Sequence, residues 1–267
     1  MRVIVTRPEQ EARQWVSTLA NAGYEAVALP LIGVLPAPNP DAVLAAWQRL
    51  HQFDAVMFVS GNAVDHFFAL KPAVAPVLDE SGAIKIRAFV TGPGSFSALR
   101  RAQVDPANID MPDRDAGQFD SEALWAVVRH RVQPGYRILV VRGTGSHQAA
   151  AEDAAQGAGR DWFAEQVRSA GGSAEFLVSY QRRAPDLTAD TAALAQQAAT
   201  DGSVWLFSSS EAIGNLVAAC PGQSWAAAKT VVTHNRIALT ARAAGFGVVC
   251  ESRPTLPALL ASIESLQ

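Results

Sequence analysis

Short polar turns that follow apolar runs are the parts of this sequence whose residue types and spacing suit ligand binding. Each turn precedes a stretch with helical periodicity, so it would place free backbone N–H groups and polar side chains at a helix N-terminus. Such N–H groups attract anions, and the helix dipole adds to the attraction. The six turns are Thr6-Arg7-Pro8, Ser60-Gly61-Asn62, Thr91-Gly92-Pro93-Gly94-Ser95, Arg142-Gly143-Thr144-Gly145-Ser146, Ser208-Ser209-Ser210 and Thr233-His234-Asn235-Arg236. Together they predict an anion-binding site, although each turn alone is more simply explained as a helix cap.

Two further side chains could take part in proton transfer. Tyr180 ends an apolar run, and its phenol could donate a proton or orient a ligand in a cleft. The alternative is a packing residue whose hydroxyl group is satisfied locally. His234 could join a serine and an aspartate in a triad, but nothing in the neighbouring sequence supports one, and a helix cap is the simpler interpretation.

Motifs for cofactors, metals and nucleotides are incomplete or missing. Gly92-Pro93-Gly94 and Gly143-Thr144-Gly145 resemble the start of a dinucleotide fingerprint but lack its third glycine. The sequence contains no Walker A, GxSxG, EF-hand or HExxH motif, and its histidines show no metal-ligand spacing. Cys220 and Cys250 form no CxxC pair, so neither a disulfide framework nor a zinc site is expected. We therefore expect no cofactor and no metal.

The elements that must position the six turns alternate between strand and helix along the whole chain. This alternation predicts an α/β fold of parallel sheets flanked by helices. Asp41 is the expected cap of the second helix, and residues 148–159 are expected to form a loop insertion or a frayed helix. Strands are predicted at 3–5, 25–31, 54–59, 85–90, near 109, 137–141, 174–180, 203–207, 230–233 and 248–251. Helices are predicted between Pro8 and Gly23, then at 41–50, 63–70, 96–101, 122–131, 161–170, 188–199, 211–219, 235–244 and from 256 onward.

Two proline-containing segments divide this alternation. Prolines at 36, 38 and 40 predict a stiff connector, and the polar segment 181–185, which ends in a proline, predicts another. The first strand–helix–strand unit has too few strands to form a domain alone. We therefore predict that residues 1–36 and 181–267 form one discontinuous α/β domain and that residues 37–180 are inserted as a second. The two connectors would lie side by side as a hinge, and the turns would face a cleft between the lobes.

Composition limits the class of protein further. The chain has 267 residues, of which 49% are hydrophobic and 18% charged, which suits sizeable cores and excludes a disordered chain. A net charge of −3 gives no basic surface for nucleic acid. Since the N-terminus lacks a signal-peptide pattern and no apolar run reaches about 18 residues, we expect a cytoplasmic protein that does not cross a membrane.

The order of these motifs along the chain resembles the uroporphyrinogen-III synthase family. The segments that carry the resemblance are VIVTRP, LPLI, FVSGNAV, FVTGPGS, VVRGTG, VSYQR, LFSSSEAI and VVTHNRIALTARAAGF. None is diagnostic alone, and TRP, SYQR and THNRIA are the most specific. The family's fold is two α/β lobes joined by a two-stranded linker, with the first lobe made from both chain ends, which agrees with the predicted boundaries.

The resemblance implies an enzyme of haem biosynthesis that cyclises hydroxymethylbilane, a linear tetrapyrrole, to uroporphyrinogen III with inversion of ring D. Loss of water from the hydroxymethyl group would give an azafulvenium cation. Ring D would attack this cation and form a spiro intermediate that fragments and recloses. Such a reaction needs no cofactor, and the enzyme mainly folds the substrate. We expect a monomer without nucleic-acid or membrane partners.

Residue by residue, the resemblance assigns Tyr180 to the family's hinge tyrosine, which would assist departure of the hydroxyl group or position it. Many members carry threonines where this chain has Asn235 and Arg236, so a role for a threonine hydroxyl is in doubt there. The residues expected to bind the substrate, from the resemblance and the six turns together, are Thr6, Arg7, Ser60, Asn62, Ala63, Gly92, Ser95, Arg142, Ser208, Ser209, Ser210, Asn235 and Arg236.

Two other classes of protein are compatible with the residues alone. A two-lobed binding or sensory protein could close on a small anion without catalysis. A nucleotide-dependent enzyme could hold a phosphate group at one of the turns. Formation of the type III isomer from hydroxymethylbilane would favour the cyclase, and thermal stabilisation by a nucleotide would favour the last alternative.

Overall fold

The computed structural model describes residues 1–73, 86–113, 119–145 and 161–266, and the chain divides into two compact units. Unit 1 comprises Met1–Gly33 and the segment from Arg183 onward, and unit 2 comprises Val34–Arg182. The chain passes from unit 1 to unit 2 after Gly33 and returns after Arg182. The domain boundaries expected from the sequence, after residues 36 and 180, lie close to these positions. The expected loop or frayed helix at 148–159 lies outside the described residues.

Unit 1 contains a five-stranded sheet. Its strands are β1 (Arg2–Val5), β2 (Glu25–Ala28), β9 (Val204–Phe207), β10 (Lys229–Val232) and β11 (Val248–Glu251). Its helices are α1 (Glu9–Asn21), α7 (Ala189–Ala198), α8 (Ser210–Ala219), α9 (Asn235–Ala243) and α10 (Leu256–Glu264). The strand order is β11-β10-β9-β1-β2, and each neighbouring pair is parallel.

Both faces of the unit 1 sheet are buried, which explains why its strands are short, nearly continuous apolar runs. In β9, Trp205 and Phe207 pack into one core cluster, whereas the alternate residues Val204 and Leu206 pack into another. The Trp205 and Phe207 rings are stacked with centroids 5.9 Å apart. Helices on both faces are therefore required to cover this sheet.

Unit 2 is built around a six-stranded sheet. Its strands are β3 (Gly33–Pro36), β4 (Ala55–Phe58), β5 (Arg87–Val90), β6 (Ile109–Asp110), β7 (Arg137–Thr144) and β8 (Ser173–Arg183). Its helices are α2 (Pro40–Gln48), α3 (Gly61–Ala69), α4 (Pro93–Arg101), α5 (Ser121–Val128) and α6 (Trp162–Ser169). The strand order is β3-β8-β7-β4-β5-β6, and the pairs from β8 to β6 are parallel.

The unit 2 sheet is also covered on both faces. Val56 and Phe58 of β4 share a core cluster with Trp47 and Phe67, whereas their neighbours in the strand belong to a cluster on the other face. Trp47 stacks on Phe67 with ring centroids 4.3 Å apart and donates its indole N–H to the Phe67 carbonyl at 3.0 Å. This packing fixes α2 and α3 on the same face of the sheet.

In each sheet, the chain first adds strands on one side of its first central strand and then adds the later strands on the other side; we call this change a chain reversal. In unit 1 it passes from β1 to β2 and later builds β9, β10 and β11 on the other side of β1. In unit 2 it passes from β4 to β5 and β6 and then places β7 and β8 on the other side of β4. Open α/β sheets bind ligands at the carboxyl ends of strands that flank such a reversal. The turns after β1, β9 and β4 therefore lie where a ligand is expected.

The predicted α/β fold with parallel sheets is confirmed, and four local predictions are wrong. The connector predicted at 181–185 begins as strand, because β8 extends to Arg183. Part of the other expected connector forms the edge strand β3, where Pro36 is tolerated because an edge strand need not use every N–H group. Asn39, and not Asp41, caps α2, since its side chain accepts a hydrogen bond from the Ala42 N–H at 3.2 Å. Residues 142–144, expected to form a turn, continue β7 because β8 extends to Arg183 and pairs with them.

Candidate active site

Two hydroxyl groups from strands that are not neighbours meet in unit 2. Ser60 follows β4, Tyr180 lies in β8, and β7 runs between these strands. Ser60 Oγ and Tyr180 Oη are 3.1 Å apart, which is hydrogen-bond distance. The fold therefore brings the predicted catalytic residue into contact with one predicted substrate-binding residue, beside the chain reversal of this sheet.

Gly143 makes room for the phenol ring to cross β7. A Cβ atom at this position would lie 2.4 Å from Cζ of Tyr180 and 2.6 Å from its Cε2. Such distances are far below van der Waals contact, so the ring can occupy this place only because residue 143 has no side chain. Gly143, which resembled part of a dinucleotide fingerprint, thus allows the Tyr180 ring to lie against β7.

An extra residue in β8 turns Tyr180 toward α3. The pairing register between β7 and β8 shifts beside Gly143 and leaves Ser179 without a counterpart in β7. Leu177 and Tyr180 consequently pack in the same core cluster, although their odd spacing in a regular strand would place them on opposite faces. Ser179 donates its hydroxyl proton to the Ala63 carbonyl at 3.2 Å, which ties the irregular segment to α3.

Ser60 is also the N-cap of α3. Its Oγ accepts a hydrogen bond from the Ala63 N–H at 3.1 Å. A hydroxyl group has one proton and two lone pairs, so Ser60 can still donate one bond and accept another. Whichever of Ser60 and Tyr180 donates to the other, the pair keeps one hydroxyl proton that it can give to a third group.

The phenol ring of Tyr180 is buried, with 3% of the residue exposed, in the core cluster that includes α3. A side chain that faces an opening was expected from the sequence. A buried tyrosine combines apolar packing of its ring with a hydrogen-bond partner for its hydroxyl group, and both are present here. A catalytic role for Tyr180 therefore depends on the hydroxyl end of the side chain, and it stays a prediction.

The first turns of α3 and α4 lie side by side, because they follow the neighbouring strands β4 and β5. A Cβ atom at Gly61 would lie 3.5 Å from the Gly94 carbonyl oxygen. Gly92 is the extended N-cap of α4, and Ser95 is buried in its first turn. Two helix N-termini therefore lie side by side at the carboxyl ends of β4 and β5. The predicted binding residues that lie at these two turns are Ser60, Asn62, Ala63, Gly92 and Ser95.

Arg142 is set apart from the other predicted binding residues of unit 2. It lies within β7 with 3% exposed, its guanidinium carbon 3.9 Å from the Phe176 ring centroid, and it donates to the Asp161 carboxylate at 3.0 Å. Burial lowers the pKa of the Arg142 guanidinium, and the hydrogen bond that it donates to Asp161 opposes this effect. Since a buried cation needs a partner, Arg142 joins β7 to the N-cap of α6. Its contact with substrate stays a prediction.

In unit 1, the turns after β1 and β9 place hydroxyl groups at the chain reversal. Thr6 Oγ1 donates to the Leu206 carbonyl at 2.8 Å and so joins the two strands. Ser209 caps α8 by accepting a hydrogen bond from the Glu211 N–H at 3.2 Å. The hydroxyl oxygen of Ser210 is buried and has no hydrogen-bond partner among the residues that the structure describes.

Two predicted residues of the same region differ in their surroundings. Ser208 is half-buried in the turn after β9. Arg7 folds back along α1, where it donates to Glu11 at 3.0 Å and lies 4.9 Å from the Trp15 ring centroid. Arg7 therefore stabilises its own turn, and its contact with substrate stays a prediction.

His234 is confirmed as a helix cap. Its Nδ1 accepts a hydrogen bond from the Arg236 N–H at 3.1 Å at the start of α9. Asn235 and Arg236 are exposed beside it, which leaves the N-terminus of α9 open to a ligand.

Sequence reasoning missed His66, which lies near the hydroxyl pair of Ser60 and Tyr180. Its imidazole lies almost parallel to the Tyr180 ring, with centroids 5.8 Å apart and an interplanar angle of 20°. Helical spacing could have indicated it, because residues three positions apart share a helix face and Ala63 is buried in α3. The contact with Tyr180 could not have been predicted, since it depends on the irregular segment of β8.

The described part of the chain shows neither a metal site nor a membrane helix. Across residues 1–73, 86–113, 119–145 and 161–266, no group of three or more His, Cys, Asp or Glu side chains could hold a metal ion. Within the same ranges, no helix is long and apolar enough to cross a bilayer.

The fold and these turns define a class of protein: a two-unit α/β protein in which helix N-termini and hydroxyl groups gather at the carboxyl ends of parallel strands. A family model described as uroporphyrinogen-III synthase HemD matches residues 13–261. A uroporphyrinogen III synthase from Thermus thermophilus that carries three substitutions shares 14% identity, with a TM-score of 0.55 over 100% of this chain and 98% of that one. The enzyme from Helicobacter pylori shares 15% identity, with a TM-score of 0.55 over 100% of both chains.

At these identities the two solved structures show a shared fold, and the family model covers most of the sequence. The chain belongs to the uroporphyrinogen-III synthase family. The resemblance noted in the sequence is thereby confirmed, and the alternatives of a binding protein and a nucleotide-dependent enzyme find no support in these comparisons.

Proposed function

We propose that this chain cyclises hydroxymethylbilane to uroporphyrinogen III, with loss of water and inversion of ring D, in haem biosynthesis. The observation that carries the proposal is the hydroxyl pair of Ser60 and Tyr180, in a chain matched by the family model over residues 13–261. The pair lies beside the chain reversal of the unit 2 sheet, where ligands of such sheets bind.

The hydroxyl pair supports a role in the departure of water. The C–O bond of the hydroxymethyl group breaks while its carbon stays on ring A, and the departing oxygen leaves as water once it has taken up a proton, which a hydrogen bond to that oxygen assists. Tyr180 supplies that hydrogen bond, and Ser60 holds the phenol hydroxyl group in place while the Ala63 N–H holds Ser60. The azafulvenium carbon is then attacked by the substituted α-carbon of ring D. The spiro intermediate fragments, recloses at the other α-carbon of ring D and loses the proton that restores the aromatic pyrrole.

The remaining predicted residues support binding of the substrate carboxylates. A protein with a net charge of −3 gains little from its overall charge when it binds a polyanion. The N-termini of α3, α4, α8 and α9 offer local positive potential instead. We propose that turns of both units contribute backbone N–H donors, together with Thr6, Arg7 and Arg142.

Closing at the wrong position is the competing reaction, because an unguided azafulvenium cation gives the type I isomer. The enzyme must therefore fold the substrate so that the substituted carbon of ring D reaches the cation first. A rigid array of donors on strand ends suits this task, since small displacements of reacting atoms strongly change rates.

We also propose that the protein acts as a cytoplasmic monomer without nucleic-acid or membrane partners. The net charge of −3 supports the part of this proposal that concerns nucleic acid. Sedimentation equilibrium with and without substrate analogue tests it, and a mass of twice 28.3 kDa would contradict it.

Incubation with freshly generated hydroxymethylbilane tests the proposed reaction. The expected product is uroporphyrinogen III in excess of the type I isomer formed in a blank. The Tyr180→Phe variant is the matched control, because it removes one oxygen atom and retains the packing of the ring. Formation of the type I isomer alone by the wild-type protein would contradict the function and favour a binding protein without catalysis.

A further inference from the structure

The mechanism above leaves one titratable side chain beside Tyr180 without a role. His66 lies in α3, the helix that Ser60 caps, and its imidazole is almost parallel to the phenol ring at a centroid distance of 5.8 Å. This distance and angle are those of a stacked aromatic pair. Two residues of one helix therefore contact Tyr180, one at its hydroxyl group and one at its ring.

The surroundings of His66 favour the neutral imidazole. Desolvation lowers the pKa of His66, and the nearby carboxylate of Asp65 opposes the shift. The Asp65 carboxylate accepts hydrogen bonds from Arg101 of α4 at 3.2 Å. The positive charge of Arg101 therefore reduces the negative potential that Asp65 exerts at His66. The facing group on β8 is the phenol of Tyr180. A neutral imidazole can stack on a phenol without introducing a charge next to it.

We propose that His66 is a positioning residue that holds the Tyr180 phenol in the orientation in which its hydroxyl group reaches Ser60. Gly143 provides the space for the ring, Ser60 fixes its hydroxyl end, and His66 limits its tilt. This inference rests on the proposed role of Tyr180 and goes beyond it by assigning a function to a residue that contacts the ring of Tyr180.

Protonation of His66 would disturb this arrangement. The pKa of His66 in the folded protein lies below its ordinary value of 6.5, so the imidazole is neutral near pH 7 and gains a proton as the pH falls through the lowered value. Because a charged imidazole is more strongly hydrated and is attracted to the Asp65 carboxylate, we expect it to change its position against the phenol ring. The turnover number should therefore fall on the acid side, with little change in KM.

Two substitutions separate stacking from other roles. His66→Phe keeps a flat ring without a proton to gain, so it should retain most of the turnover number and lose the acid limb. His66→Ala removes the ring and should lower the turnover number about tenfold, since loss of orientation reduces rates without loss of binding. His51→Ala is the matched control, because His51 is exposed elsewhere in unit 2.

A fluorine NMR measurement tests the contact apart from activity. The chain has three tyrosines, so 3-fluorotyrosine labelling gives a small set of resonances, and Tyr180→Phe identifies the one at issue. In the wild-type protein this resonance should titrate with a midpoint below the ordinary histidine value, and in His66→Phe it should not.

Three outcomes would overturn the positioning role. These are a resonance that does not respond to pH, a His66→Ala variant with the wild-type turnover number, and a His66→Phe variant as slow as His66→Ala. A wild-type protein that forms only the type I isomer would instead overturn the proposed function. In that case the fluorine titration would still decide whether His66 controls the ring.

Discussion

At the scale of single residues, the chemistry assigned to Tyr180 belongs to its hydroxyl group and not to its ring. The ring is packed in the core of unit 2, and only the hydroxyl end meets another polar group, Ser60. Activity and stability should therefore respond differently to changes at this position. A loss of the oxygen atom affects the reaction, whereas a loss of the ring affects the fold.

Replacement of Tyr180 by phenylalanine should lower the turnover number about a hundredfold, the size of a typical contribution from one proton donor. The free energy of unfolding should fall by no more than about 1.5 kcal/mol, because one hydrogen bond is lost and the ring packing stays. Rate assays with freshly made hydroxymethylbilane and urea denaturation measure the two quantities. Tyr24→Phe in unit 1 is the control, and an unchanged turnover number in Tyr180→Phe would remove the catalytic assignment.

Gly143→Ala should disturb the same ring from the other strand. The new methyl group would lie 2.4 Å from Tyr180 Cζ, so the ring must move, at a cost of about 1–3 kcal/mol in stability. The displaced hydroxyl group should also reduce the share of the type III isomer. Gly145→Ala is the matched control, since among the described residues a Cβ atom there would meet the end of the Arg182 side chain at 3.8 Å and nothing closer. Equal stability and isomer ratio in the two variants would show that the close approach at Gly143 is unimportant.

At the scale of secondary-structure elements, the sequence predicts the alternation of strands and helices because each short apolar run is covered on both faces. The residue at which a helix begins is less predictable when a single capping side chain determines it. Both Asn39 and Asp41 are good capping residues, and only the observed bond to the Ala42 N–H distinguishes them.

The two candidate caps of α2 give a direct comparison. Asn39→Ala should lower the free energy of unfolding by about 1 kcal/mol, because the first turn of the helix loses its side-chain acceptor. Asp41→Ala should lower it by about 0.5 kcal/mol or less, because Asp41 is exposed in the first turn, where its carboxylate interacts with the helix dipole. Urea denaturation of the two variants measures the difference. A larger loss in Asp41→Ala would support the cap expected from the sequence.

The part of the site that the sequence could not predict depends on one strand. Tyr180 was identifiable from the SYQR segment, and Ser60 from its turn, but their contact requires Ser179 to lie outside the regular pairing of β8. Strand periodicity alone would place Leu177 and Tyr180 on opposite faces. No local pattern of residue types indicates such an irregularity, and His66 was missed for the same reason.

At the scale of the whole molecule, the proposal requires a protein of net charge −3 to bind a substrate with many carboxylates. Backbone donors resolve this conflict, because their partial charges are local and do not appear in the net charge. They also explain why the chain has ordinary capping residues at its turns instead of clusters of lysine.

A proline substitution tests the use of backbone donors. Asn235 is the first residue of α9, where proline is tolerated, and the preceding His234 has the extended backbone that proline requires. Asn235→Pro should raise KM about tenfold with little change in the turnover number, because it removes one N–H donor to a carboxylate. Asn235→Ala keeps the donor and should resemble the wild type. Equal KM values in the two variants would mean that the N–H group of residue 235 does not bind substrate.

The hydrogen bond from Thr6 to the Leu206 carbonyl joins residues 200 positions apart, because unit 2 is inserted between β2 and β9. During translation, β1 can pair with β2 early, but it emerges from the ribosome long before β9, its partner on the other side, exists. The strands of unit 2, in contrast, are all made before β9. Closing so long a loop is slow and entropically unfavourable in an open chain, and an inserted unit that has already folded shortens it. The insertion thus sets an order of assembly in which the pairing of β1 with β9 forms only after unit 2 has been synthesised.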